Sequence, residues 1–185
     1  MKYLIYISYL FFISEFILML VKRSKESDTK QRKDKGSLIL LWIMITLCFT
    51  FGFIFAKYNH WESINFVFAG IGLLIIIVGF IVRWMTIIQL KKAFTVDVAI
   101  GQEHELKTSG MYKWIRHPSY LGLLLIMVGF SLYMNSIISV LVIFIPMLLV
   151  IMYRISVEEN VLIEEFGDSY VTYKLKTKKI IPWVI

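Results

Sequence analysis

Several residue types are scarce in this sequence, and each scarcity excludes something. Cysteine occurs once in 185 residues, at Cys48, so neither an intrachain disulfide nor a thiolate cluster for zinc or iron-sulfur is available. Cys48 lies inside an apolar run and reads as a helix-packing residue. No metal site is expected. Three prolines and ten glycines leave no Pro- or Gly-rich linker, and no segment repeats, so residues 1–185 read as a single domain. No Gly-x-Gly-x-x-Gly follows a strand pattern, which excludes the usual dinucleotide loop. Charged residues make up only 18% of the chain, against about 25% in soluble domains.

What remains is apolar. Hydrophobic residues are 58% and aromatics 16%, with a mean hydropathy of +0.74, a composition suited to hydrocarbon rather than water. The sequence therefore reads as an integral membrane protein. About 20 apolar residues cross the bilayer core as a helix, and stretches 3–21, 37–56 and 64–90 meet that length. The first lacks a basic start beyond Lys2 and a small-residue cleavage site, and Glu15 interrupts it, so it is expected to stay on the mature protein rather than act as a signal peptide. Residues 119–153 form a further apolar block, broken at Met134, Asn135 and Ser136 by turn chemistry, which predicts two helices in a hairpin. The expected fold class is all-α: a membrane bundle of about five transmembrane helices, the fourth and fifth forming the hairpin, plus a cytosolic C-terminal helix.

Charge orients this bundle. The stretch "KRSKESDTKQRKDK" carries seven basic residues against three acids. Alternating spans place it on the same side as residues 91–118 and the tail after 154. Of twenty Lys and Arg, only Lys2 and Lys57 fall at the opposite end, so the positive-inside rule makes the basic side cytoplasmic and the N-terminus external. Attraction to anionic lipid headgroups accounts for the net charge of +7, with no need of nucleic acid. Inside the first span, Glu15 is an intramembrane acid and a functional candidate by default; the structural alternatives are pairing with Arg83 or a depth near the headgroups.

The informative polar residues fall in two cytoplasmic segments. "HELKTSGMYKWIRHPSYLG" is followed some 35 residues on by "RISVEENVLIEEFGDSYVTYKLKTKKIIP". On its own, Arg116-His117-Pro118 reads as a juxtamembrane anchor with Pro118 opening the fourth helix. Arg154 and Glu158, four apart, lie on one helix face, where an intrahelical ion pair is the plain structural reading. Ser156 and Glu159 have the spacing of a capping box, and a helix phase of about 100° per residue turns Glu159 about 140° away from Arg154. Val157, Val161, Leu162, Phe166, Tyr170 and Tyr173 form a stripe expected to pack on the bundle, with a break or bend at Gly167. Tyr112, Trp114 and Tyr120 suit either a membrane interface or a cofactor face.

Together, however, the two segments resemble the signature of the isoprenylcysteine carboxyl methyltransferase and phospholipid methyltransferase superfamily. The resemblance covers residues 94–182. It implies a membrane enzyme that binds S-adenosylmethionine in a cytosolic pocket and methylates a lipid-like or prenylated acceptor, foremost an isoprenylcysteine carboxylate. Phospholipid amines and small thiols are alternative acceptors. Residues 1–90 then supply three helices and 91–185 the cofactor-binding catalytic part. Carried over by residue, the resemblance places His104, Glu105, Leu106, Lys107, Tyr112, Arg116, His117, Pro118, Ser119, Tyr120 and Glu158 at the cofactor. It places Arg154 toward the substrate and makes Arg154 and Glu158 the catalytic pair. The sequence departs from the pattern upstream of His104, where Thr95, Asp97 and Gln102 are the polar candidates. A carboxylate acceptor needs no general base, so His117 reads as a binding or scaffolding residue. Two other classes compete: an NADPH-dependent reductase of the sterol type, separable by cofactor binding, and a non-catalytic adaptor or small transporter. The last is opposed by the clustering of ionisable residues outside the spans.

Overall fold

The computed structural model describes residues 2–21, 29–32, 36–58, 65–90, 99–101 and 106–181. The apolar stretches are helical, as their length and composition require: α1 Lys2–Val21, α2 Ser37–Tyr58, α3 Asn65–Leu90, α4 Pro118–Tyr133, α5 Ile137–Phe166 and the short α6 Asp168–Lys176. By length and apolarity α2, α3 and α5 are long enough to cross a membrane, whereas α1 and α4 are shorter apolar helices. The 16 residues of α4 rise about 24 Å. The five expected helices are thus present, three of them with full spanning length. Large side chains such as Leu20, Ile39, Phe66, Ile88 and Leu149 stand exposed around the bundle, an apolar belt suited to lipid.

One addition to the all-helical expectation is a two-stranded antiparallel ribbon. β1 (Thr29–Arg32) pairs with β2 (Ala99–Gly101), Thr29 opposite Gly101 and Arg32 opposite Ala99. It ties the α1–α2 connection to the segment that follows α3.

The hairpin forms where the sequence breaks. Asn135 takes φ 54°, a left-handed conformation that asparagine tolerates better than most residues. Ser136 then caps α5, its side chain accepting from the Ser139 amide at 3.3 Å. Pro118 occupies the first turn of α4, where a missing N–H costs nothing. Within α5, Pro146 cannot donate to the Val142 carbonyl. The Cys48 thiol of α2 lies 3.8 Å from that carbonyl and from Ile143 O, so the lone cysteine both packs and offers a weak donor.

Glycines set how closely α3 and α4 approach. A Cβ on Gly72 would lie 2.7 Å from Gly129 O, and one on Gly79 would lie 2.8 Å from Ile126 N and 2.9 Å from Gly122 O. These are backbone-to-backbone contacts between antiparallel helices, the small-residue packing that associates helices without a hydrophobic drive. Between α2 and α5, Ser139 Oγ donates to Gly52 O at 2.9 Å. Phe11 of α1 fills the centre, with ring centroids 5.7 Å from Phe49, 6.3 Å from Phe80 and 6.2 Å from Phe130.

α5 continues past the apolar block to Phe166 and stops at Gly167, φ 52°, whose amide bonds Ile163 O at 2.9 Å. The expected bend at Gly167 is therefore present, and α6 follows it. The capping box at Ser156 and Glu159 is corrected: both residues lie inside α5, far from any helix start, so Glu159 has no capping role.

Candidate active site

The site lies at the end of the bundle where α2 and α4 begin and α3 ends. Gly110, at φ 68°, opens a 3₁₀ turn over Gly110–Lys113, and a Cβ there would meet Gln89 Oε1 at 2.6 Å. Gln89 Oε1 accepts from the Met111 amide at 3.3 Å. The turn lowers Tyr112 into the protein, where its hydroxyl donates to Thr86 O at 3.4 Å and its carbonyl accepts from Tyr173 Oη at 2.6 Å. Burial, reinforced by the nearby Glu158 charge, pushes the Tyr112 phenol well above its usual value, so it is a neutral donor here. Trp114 stays exposed, with Lys113 Nζ 5.5 Å from its ring; of the three aromatics, it is the one that reads as an interfacial anchor.

Residues 114–117 are held from the C-terminal side. Arg116 N donates to Lys178 O at 2.8 Å, His117 N to Lys179 O at 3.0 Å and Lys178 N to Trp114 O at 3.1 Å. Side chains complete the clasp around Glu159, which is buried. Arg116 Nε donates to Glu159 Oε1 at 2.8 Å, Lys174 Nζ pairs with Oε2 at 3.1 Å, and His117 Nε2 lies 3.3 Å from Oε1. Arg116 Nη1 also donates to the carbonyls of Lys174 and Thr177. Tyr170 and Tyr173 of α6 are buried beneath this network. Burial raises the Tyr173 phenol to about 12 and pushes Tyr170 further up, with Glu159 adding to the latter.

Glu158 faces the other way. Its side chain is about a third exposed, Oε2 lies 3.7 Å from His117 Nδ1, and its carboxylate neighbours the Tyr120 hydroxyl. The imidazole of His117 thus sits between two carboxylates. The hydroxyl of Tyr120 accepts from Arg154 Nε at 2.8 Å, and Arg154 Nη1 donates to Ser37 Oγ at 2.8 Å. Arg154 is buried, so its fork is pre-aimed rather than waving in water. A line of polar contacts runs Ser37, Arg154, Tyr120, Glu158, His117.

Helix phase turns Glu159 away from Arg154, yet Glu159 reaches His117 all the same, from the opposite side to Glu158. The face of α5 turned away from Arg154 is covered by residues 114–117 and α6, so Glu159 meets His117 from behind while Glu158 meets it from the front. Pro118 and Ser119 are buried at the start of α4; Leu106 is half-buried and Lys107 exposed. His104, Glu105, Thr95, Asp97 and Gln102 lie outside the described residues. Two residues escaped the sequence reading. Ser37 carries no motif and was unreadable without the contact between α2 and α5. Arg83, which the sequence marks only as a possible partner of Glu15, does pair with it, Nη2 to Oε2 at 2.6 Å, and its Nη1 also donates to Ser119 O at 3.2 Å and Oγ at 3.1 Å.

Comparison with known proteins places this geometry. The sequence model of the isoprenylcysteine carboxyl methyltransferase family matches residues 71–164, which span α3, α4 and most of α5. Protein-S-isoprenylcysteine O-methyltransferase B of Arabidopsis thaliana is 35% identical over 128 residues, covering 68% of this chain and 62% of the relative. Its counterpart in Saccharomyces cerevisiae is 33% identical over 116 residues, covering 62% of this chain and 48% of that protein. The chain thus spans less than two thirds of the length of these relatives. The solved structure of the eukaryotic intramembrane Ras methyltransferase, isoprenylcysteine carboxyl methyltransferase, has the same fold: TM-score 0.60 at 24% identity, over 84% of this chain and 55% of that one. With half of its length matched by the family model, and with the Arg-His-Pro loop and paired glutamates brought together on α4 and α5, this chain belongs to the isoprenylcysteine carboxyl methyltransferase family.

Proposed function

We propose that the chain is an S-adenosylmethionine-dependent methyltransferase that esterifies the carboxylate of an isoprenylated cysteine at the cytoplasmic face of its membrane. The observation that carries this reading is the polar line Arg154, Tyr120, Glu158, His117 at one end of the bundle, which sets a buried guanidinium one tyrosine away from a partly exposed carboxylate. The two groups have opposite charge preferences, so one site accepts an anionic acceptor and a cationic donor together.

The donor set fits the cofactor. S-adenosylmethionine, when bound, supplies an electrophilic methyl on a sulfonium. Glu158 offers an anion for its positive groups, and Tyr112, Ser119 and Tyr120 offer hydroxyls. His104, Glu105, Leu106 and Lys107 are assigned to the same pocket by their place in the motif. Arg116 holds the loop through Glu159 and two backbone carbonyls, so its contribution is to shape the pocket that His117, Pro118 and Ser119 line. Arg154 orients the acceptor carboxylate with its fork. That carboxylate is ionised near neutral pH and needs no general base; alignment and exclusion of water supply the acceleration. The exposed apolar belt leaves the prenyl chain in lipid while its carboxylate reaches the bundle end.

The test is a labelled-methyl assay with purified protein and an amine-blocked farnesylcysteine whose carboxylate is free. Label should enter an alkali-labile methyl ester. Alkali-stable label would mean N- or S-methylation, and binding of NADPH without S-adenosylmethionine would mean a reductase.

A further inference from the structure

A buried ion pair between transmembrane helices is costly unless every partner is satisfied. Arg83 of α3 and Glu15 of α1 form such a pair: Arg83 Nη2 donates to Glu15 Oε2 at 2.6 Å, Nε donates to Oε1, and both side chains are buried. The guanidinium does not stop there. Nη1 donates to the Ser119 carbonyl at 3.2 Å and to the Ser119 hydroxyl oxygen at 3.1 Å. Ser119 sits in the first turn of α4 directly after His117 and Pro118.

A serine hydroxyl has one proton and two acceptor lone pairs. With a cation donating to its oxygen, the Ser119 hydroxyl is committed as an acceptor on that side, and its own proton is directed away from Arg83. No described residue takes that proton. A hydroxyl polarised by a guanidinium is also the better donor. We infer that the Glu15–Arg83 pair is a positioning device: it fixes the Ser119 hydroxyl as a hydrogen-bond donor toward the cofactor, so that helices α1 and α3 set the geometry of a pocket they do not line. This rests on the methyltransferase reading above. Glu15 supplies the fork's orientation and charge balance, Arg83 supplies the donors, and Ser119 alone touches the ligand.

Exchanging the charges separates positioning from mere bundle stability. In Glu15→Arg with Arg83→Glu the ion pair is restored, but Ser119 now faces a carboxylate that captures its proton. The singles Glu15→Gln and Arg83→Gln should lower the melting temperature in detergent, and the exchange should recover it. The KM for S-adenosylmethionine should nevertheless stay raised by on the order of tenfold, the size of a lost charge-assisted hydrogen bond, with kcat at saturating cofactor little changed. Ser119→Ala should raise KM similarly in the natural background and add nothing in the exchanged one. An exchange that restores both melting temperature and KM, or a Ser119→Ala that leaves KM unmoved, overturns the inference. Should the exchanged protein not run as a monodisperse peak, Arg83→Lys decides. An ammonium keeps the charge beside Glu15 but lacks the planar fork that engages Glu15 through Nε and Nη2 while Nη1 reaches Ser119, so KM should rise while the melting temperature holds; an unchanged KM overturns it. Calorimetry of the unaltered protein keeps the two claims apart: no heat with S-adenosylmethionine sinks the methyltransferase reading itself, whereas equal binding by unaltered and exchanged proteins sinks only the positioning role.

Discussion

Adjacent residues on a helix point about 100° apart, and at the residue scale that rotation divides the labour of Glu158 and Glu159. Glu159 is enclosed and holds Arg116, Lys174 and His117. Removing its charge in Glu159→Gln leaves the Arg116 guanidinium buried without a counter-charge, even if the amide oxygen still accepts from it, which should cost about 3 kcal/mol. A large fall in melting temperature in detergent is the expected reading. Glu158→Gln, on a side chain about a third exposed, should leave the melting temperature within the small range of surface substitutions. It should weaken S-adenosylmethionine binding by on the order of tenfold, as the loss of a charge-assisted contact does. The opposite pattern, with Glu158 holding the fold and Glu159 the cofactor, would reverse the site. Tyr170 gives a finer test. Its hydroxyl is buried without a hydrogen-bond partner among the described residues, and an unsatisfied buried hydroxyl costs about 1 to 3 kcal/mol. Tyr170→Phe should therefore hold or raise the melting temperature, and a clear drop would show that the hydroxyl has a partner. The sequence placed both glutamates in the motif, but it could not show that α6 and residues 114–117 wall in the far side of α5. Helix phase locates a face and says nothing of what covers it.

Elements in this protein are joined by approach distance as much as by apolar area. A methyl at Gly79 would lie 2.8 Å from the Ile126 amide nitrogen, and backbone cannot yield as a side-chain tip can. Gly79→Ala should destabilise the α3–α4 contact by about 1 to 3 kcal/mol, the usual cost of overpacking. Gly70, on the same helix, meets nothing within 4 Å of an added Cβ; Gly70→Ala should be neutral or slightly stabilising because alanine is the better helix former. Thermal unfolding of the two variants in one detergent compares them directly, and equal losses would mean that close approach at Gly79 does not hold the α3–α4 seam. At this scale much was legible. The three N-terminal helix ranges, the turn at Asn135 and Ser136, and the break at Gly167 follow from hydropathy and turn chemistry, which act locally. The pairing of helices was not legible, because an apolar surface in lipid carries no signal of which neighbour it meets; only glycines and small polar residues such as Ser139 mark the seams, and they are readable once the partner is known. The β1–β2 ribbon was missed for a related reason: "TKQR" and "AIG" have too few alternating residues to register as strands alone.

For the whole molecule, orientation in the bilayer decides which compartment supplies the site. Contacts between Ser37 and Arg154, Arg83 and Ser119, and Gln89 and Met111 gather the start of α2, the end of α3, the start of α4 and residue 154 of α5 at one end. The connections α1–α2 and α3–α4 and the chain from Arg154 onward hold nearly all the basic residues, and Lys57 closes α2 at the other end. Carrying so many cations across the membrane would work against a potential worth about 2.3 kcal/mol per charge per 100 mV, so the basic end should stay cytoplasmic. In a Cys48→Ala background, which removes the single buried thiol, Lys57→Cys should react with a membrane-impermeant maleimide in intact cells. Lys113→Cys, exposed on the 3₁₀ turn beside Tyr112, should react only after permeabilisation. The reverse result would invert the protein and set the Arg154 pocket on the outer face, away from the side that positive charge favours. Labelling of both positions in intact cells would mean that α3 does not cross, because among the described residues it is the one helix of spanning length between them.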